Sequence, residues 1–154
     1  MNTEIETTAV DQTQKFARLV GTRLKGGEVF ELRSDIGGGK TVFVRGLVDG
    51  FGSLDPVASP SFTINLVYSR KDGKTFHHFD FYRLDDPGIM ARELEEAVNA
   101  KDSVTAVEWS DSVKDVLPNK RVTIEITAIN ENTRHITCHY PDDLAYLFLK
   151  KSRE

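Results

Sequence analysis

The densest chemistry in the chain lies in eight residues, Ser34-Asp35-Ile36-Gly37-Gly38-Gly39-Lys40-Thr41. They fit the pattern G-x-x-x-x-G-K-[ST] except that Ser34 stands where the first glycine would be. In such a loop consecutive glycines let backbone N–H groups turn inward around an anion. A helix that follows adds the positive end of its dipole. Lys40 supplies a point charge for the β- and γ-phosphates of a nucleotide, and the Thr41 hydroxyl suits Mg2+. Asp35, Ile36, Gly37, Gly38, Gly39, Lys40, Thr41 and Val42 form the expected nucleotide-binding run.

Binding phosphate is not hydrolysing it: a carboxylate near the metal and a group that positions water are also needed. Two acidic residues close apolar, strand-like runs. Asp80 follows Phe76-His77-His78-Phe79, and Glu108 follows Val104-Thr105-Ala106-Val107 and precedes Trp109. Asp80 suits Mg2+, directly or through water, because that ion prefers oxygen ligands and keeps several waters. Glu108 suits a water-positioning or metal-side role. The plainer reading of each is a surface carboxylate at a strand end, but strand ends in α/β sheets face the ligand. His77 and His78 are adjacent on a strand and point to opposite faces, so they do not form a metal pair. His78 shares Asp80's face and is placed to orient it.

Further polar residues follow these elements. Tyr82-Arg83 comes just after the Asp80 strand, where Arg83 either contacts phosphate or a partner or is simply solvated. Ser59, Ser61 and Thr63 sit in a hydroxyl-rich turn where a nucleotide-sensing switch would lie, or where an exposed turn would. Guanine recognition would want N-K-x-D after a strand. Asn119-Lys120 lacks the aspartate and precedes its strand, which favours ATP over GTP.

The elements that position these residues are legible as patterns. Residues 11–25 carry Phe16, Leu19, Val20 and Leu24 on one helical stripe, capped by Thr8 or Asp11 and ended by Gly26-Gly27. A strand over 28–33 enters the glycine loop, and a helix from Thr41 leaves it, stopping near Gly50-Phe51-Gly52. Residues 53–61 are a proline-containing loop. The runs 62–68 and 75–81 alternate around Lys71-Asp72-Gly73-Lys74 as a β-hairpin, and 121–129 and 134–140 form another. Pro87 suits the first turn of a helix reaching about Val98. Residues 104–107 read as a buried parallel strand, and 144–150 as a terminal helix. The expected fold is α/β: a P-loop NTPase-like mixed sheet with antiparallel hairpins, flanked by helices, in a single domain over 1–154.

Composition narrows the class. The chain has 154 residues, a net charge of −4 and a sequence pI near 5.6, which disfavours wholesale binding to a nucleic-acid backbone. The basic cluster Lys150-Lys151-Ser152-Arg153 reads as a solvated helix end. No apolar run is long enough for a membrane span, and Met1 to Gln14 lacks a signal-peptide pattern. The single cysteine, Cys138, alternates with Ile136 as ordinary packing and suits a reducing cytoplasm.

Taken together, SDIGGGKT (34–41), ASPSFTI (58–64), HFDFYRL (78–84) and Glu108-Trp109 closely resemble the TsaE (formerly YjeE) family, from Thr13 to about His135. These are bacterial P-loop ATPases of tRNA threonylcarbamoyladenosine synthesis. The resemblance implies ATP or ADP with Mg2+ as cofactors, Thr13 near the nucleotide, and Thr41, Asp80 and Glu108 at the metal. It implies catalytic roles for Lys40, Asp80 and Glu108, and a switch-like or partner-facing set of Ser59, Ser61, Thr63, Tyr82, Arg83 and Trp109. It further implies association with TsaD and TsaB, contact with tRNA only through that complex, and transfer of the threonylcarbamoyl group by TsaD rather than by this chain. Ser34 and Ser61 depart from the family's usual glycine and threonine, and no counterpart of a family glycine is evident near Glu93–Glu96. A positive φ at Ser34 would cost about 1 kcal/mol.

The residues taken alone leave two other functions open. One is a small-molecule kinase using the same phosphate site, with Arg83 and Arg92 available but no long lid insertion. The other is a nucleotide-sensing binding module with negligible turnover.

Overall fold

Two buried parallel strands lie at the centre of the molecule because their sequences offer apolar surface to both sides. In the computed structural model, which describes residues 1–35, 37–55, 65–82 and 86–149, these are β2 (Val29–Arg33) and β5 (Ser103–Glu108). Every residue of β5 is buried, the pattern of a strand covered on both faces. The other strands are β1 (Asn2–Thr7), β3 (Asn65–Ser69), β4 (Thr75–Asp80), β6 (Val122–Ala128) and β7 (Arg134–His139). They form one seven-stranded sheet in the order β1-β7-β6-β2-β5-β4-β3. Strands β4, β5, β2 and β6 run parallel, whereas β3–β4, β6–β7 and β1–β7 pair antiparallel. The mixed sheet with two hairpins is the one expected.

Alternation along the strands sends residues to two cores. Phe30, Leu32, Phe76, Val104, Ala106, Val122 and Ile124 pack with α1 (Val10–Gly21) and α2 (Lys40–Phe51). Val29, Phe79 and Val107 face the other way, onto α3 (Ile89–Asn99) and the 3-10 segment Ser110–Val116. Each fully buried Phe or Leu on these faces contributes about 1.5–3 kcal/mol through removal from water. Cys138 is in the first core, where burial pushes its thiol up to about 12, consistent with packing and not with nucleophilic chemistry.

Several elements differ from expectation for identifiable reasons. The polar N-terminus contains an edge strand, β1, whose exposed face carries Asn2, Glu4 and Glu6 and whose apolar content is nearly confined to Ile5. That leaves little hydrophobic alternation to read. Helix α1 starts after Ala9 without a side-chain cap, while the Gln12 side chain accepts from Thr8 N–H and hydroxyl. It ends at Gly21, before Gly26-Gly27, and Leu19 lies exposed outside its buried stripe of Thr13, Ala17, Val20 and Gly21. Pro87 precedes α3 instead of entering its first turn, and its carbonyl accepts from Met90 N–H. In place of the expected terminal helix over 144–150 there is a 3-10 segment at Asp142–Leu147, which shares residues 144–147 with the expected span. The start of the 62–68 strand, the segment 59–63, Ile36, Arg83 and the cluster 150–153 lie outside the described residues.

Candidate functional site

The site forms where β2, β5 and β4 end side by side. Register pairs Leu32 with Glu108 and Glu108 with Asp80, so both acidic strand ends reach the sheet edge from which the glycine loop departs. The faces also agree. Phe76, with its neighbour Val104, faces the α1–α2 layer, so His78, Asp80, Ala106 and Glu108 do too, at intervals of two.

Loop geometry explains its glycines. Gly39 precedes α2 with φ 111° and Gly37 has φ 76°, conformations that side chains resist. At Gly38 the constraint is space: a Cβ would fall 1.6 Å from Ser34 Oγ. Ser34 itself is not strained. Among the described residues the sole non-glycine with positive φ is Trp109, so serine at the first loop position keeps an ordinary backbone. Its hydroxyl donates to the Asp35 carbonyl at 2.9 Å.

Lys40 is buried and donates to the carbonyls of Ser34 and Asp35 at 2.9 and 3.2 Å. Its ammonium also lies 4.4 Å from the centre of the Trp109 ring. Burial lowers its pKa, and the charges of Glu108, Asp80 and Asp35 act in the opposite direction. Asp80 is pushed up by burial and, more weakly, by Glu108, while the Tyr82 amide donates to it at 2.9 Å. Two carboxylates and a cation therefore share one partly desolvated edge. Trp109 has φ 56°, and its ring lies 4.9 Å from that of Tyr82. With Leu32, Arg33, Ser34, Ser110 and Asp111 it lines a cavity of about 230 Å³.

The histidine reading changes. His78 does not bond Asp80; its Nε2 lies 2.6 Å from Glu108 Oε2, and both side chains are buried. His77 points to the other face, near Thr75 and stacked with Phe79.

A second cavity, of about 160 Å³, borders the loop at Gly37 and Gly39. It gathers Thr13, Gly37, Gly39 and Val42 with Ala9, Val10, Glu131, Asn132 and Arg134. Thr13 is held by a 2.6 Å hydroxyl–hydroxyl bond to Thr7. Arg134, which sequence reasoning missed, donates to the Gly38 carbonyl at 3.2 Å and to the Asn130 carbonyl at 2.7 Å. It fixes the β6–β7 turn against the glycine loop. No local signal marks it, since its partner is 96 positions away.

The donor set suits Mg2+. Among the described residues no cluster of three His, Cys, Asp or Glu side chains forms a closed metal cage. Two carboxylates at adjoining strand ends, with Thr41 in the first turn of α2, match an ion that takes one or two carboxylates and keeps its waters.

Comparison with known proteins shows the family and the fold. The family model "Threonylcarbamoyl adenosine biosynthesis protein TsaE" matches residues 7–136. The tRNA threonylcarbamoyladenosine biosynthesis protein TsaE of Bacillus subtilis is 34% identical over 128 residues, covering 82% of this chain and 78% of that protein. The protein of the same name from Treponema pallidum is 33% identical over 133 residues, covering 84% and 94%. The crystal structure of Bacillus subtilis YdiB superposes with a TM-score of 0.73 at 28% identity, covering 96% of this chain and 91% of that one. A family match over residues 7–136, with relatives about a third identical over most of their length, makes the chain a member of the TsaE family.

Proposed function

We propose that the chain acts in tRNA threonylcarbamoyladenosine biosynthesis as an Mg2+-dependent ATPase, accessory to TsaD and TsaB and not itself the transferase. The observation that carries the ATPase reading is the convergence of Lys40 with Asp80 and Glu108 at the edge where the glycine loop meets α2. In this reading the cavity holding Thr13, Val42 and Arg134 takes the nucleoside end of ATP, and the loop amides and Lys40 take the phosphates. Asp80 and Thr41 would hold Mg2+, which when bound offsets charge on the phosphate oxygens. Glu108 orients water for in-line attack at the γ-phosphate. On binding, Lys40 exchanges the Ser34 and Asp35 carbonyls for phosphate oxygens, a stronger charge-assisted pairing. The family supports the pathway; TsaD and TsaB as partners rest on resemblance to TsaE proteins.

The test is ATP hydrolysis measured with and without purified TsaD–TsaB from the same source. Stimulation and co-elution are expected. Lys40→Ala should abolish ATP binding, while Glu108→Ala should bind ATP and lose about 100-fold or more in hydrolysis. Equal hydrolysis by wild type and Glu108→Ala would remove Glu108 from its role; no stimulation and no co-elution would remove the partners. Release of phosphorylated acceptor instead of free phosphate would identify a kinase.

A further inference from the structure

We propose that His78 is the positioning residue of ATP hydrolysis, fixing Glu108 through one carboxylate oxygen so that the other is left to orient water. The proposal rests on the reading of Glu108 given above. His78 pairs across the sheet with Ala106, two residues before Glu108, so the imidazole reaches its target diagonally over the smallest side chain on that face of β5. Its side chain is fully buried, that of Glu108 is 5% exposed, and the 2.6 Å contact occupies Oε2. With Nε2–H donating to Glu108, Nδ1 faces the interior and has no hydrogen-bond partner among the described residues. A histidine present only to fill the core would be expected to satisfy both nitrogens, or to be replaced by leucine or phenylalanine with no orphaned atom. The unmatched Nδ1 is tolerated because Nε2 is needed where it is. The carboxylate cannot swing away from the strand end without also leaving the buried Nε2–H donor unpaired.

Wild type, His78→Leu, His78→Gln, Glu108→Ala and His78→Leu/Glu108→Ala are compared for ATP affinity, by the fluorescence of the sole tryptophan, and for single-turnover hydrolysis. His78→Leu should keep ATP affinity within about twofold and lose about 10- to 100-fold in hydrolysis, as removal of an outer-shell partner does. His78→Gln, whose amide nitrogen reaches the position of Nε2, should recover most of that loss. In the Glu108→Ala background His78→Leu should cost nothing more, since its target is gone. Should His78→Leu fail to fold, His78→Asn replaces it: its shorter amide does not reach Oε2. Hydrolysis by His78→Leu at the wild-type rate would overturn the proposal, as would an undiminished loss in the Glu108→Ala background. Either leaves the ATPase reading intact if wild type hydrolyses ATP. Absence of hydrolysis by wild type, alone and with TsaD–TsaB, would fail both.

Discussion

Asp80 shows how a single charged group can be held at a cost to stability. Burial and the neighbouring Glu108 charge raise its pKa, so the folded chain binds a proton at Asp80 more readily than the unfolded chain does. The sign follows: at neutral pH the ionised group detracts from stability, and that stability returns as pH falls through the raised value. Asp80→Asn keeps the acceptor for the Tyr82 amide and removes the charge. It should therefore stabilise the nucleotide-free protein by about 1 kcal/mol in denaturant melts. The same change should weaken Mg2+-dependent ATP binding, and wild-type Mg2+ affinity should begin to fall at higher pH than for an ordinary aspartate. An Asn variant no more stable than wild type in the absence of Mg2+ would contradict this. At this scale much of the candidate site is legible: Lys40, Asp80 and Glu108, which the fold brings to one edge, are each marked by a glycine loop or by the end of an apolar strand. The sequence places His78 on the correct face beside Asp80, whereas its hydrogen-bond partner is Glu108. Period two gives the face, whereas the choice between Asp80 and Glu108 depends on which strand lies alongside β4.

Between residue and fold, the pairing of α1 with α2 decides where Thr13 stands. The two helices approach through glycines: a Cβ at Gly46 would meet the Gln14 carbonyl at 2.5 Å and Ala17 Cβ at 2.6 Å, and one at Gly50 the Arg18 carbonyl at 2.1 Å. Since α2 begins at the glycine loop, this contact sets α1, and with it Thr13 and the Ala9–Val10 wall, against Gly37 and Gly39. Gly46→Ala should push α1 away, costing about 1–3 kcal/mol as overpacking does, and should weaken ATP binding even though residue 46 does not line the cavity. Thermal melts and nucleotide titration check it; a variant as stable as wild type with unchanged affinity would show that the helices can slide apart freely. The sequence marks both helices, but within a helix a glycine reads only as a weak former. Its use as a notch appears once the partner helix is known. The same limit hid Arg134, whose turn was legible as a turn and whose contact with Gly38 belongs to the tertiary fold.

Across the whole molecule, the sheet edge that carries Asp80 and Glu108 is braced from the opposite side of the sheet by one buried carboxylate. Glu31 lies on central β2, fully buried, and accepts from Arg33 at 2.9 Å, Ser110 Oγ at 2.8 Å and Arg121 at 2.8 Å. It thereby joins the exits of β2 and β5 to the approach to β6. Ser110 directly follows Trp109, so this bond helps hold the one positive-φ non-glycine among the described residues, and Trp109 is what packs against Lys40. Burial alone would raise the pKa of Glu31, but the hydrogen bonds from Arg33, Ser110 and Arg121 outweigh it and hold it below 4.5. Its contribution to stability is therefore fully present above the unfolded value and is lost as pH falls through the lower folded value. Glu31→Gln leaves Arg121 without its charge partner and should cost about 3 kcal/mol at neutral pH. Because protonated wild type resembles the glutamine variant, the difference should narrow as denaturation is repeated from about pH 7 down to about pH 3. The loosened Trp109 turn should also make tryptophan fluorescence less responsive to ATP. A stability difference that stays constant over that range would mean that the Glu31 charge does not tie these strands together, and that packing alone holds the edge.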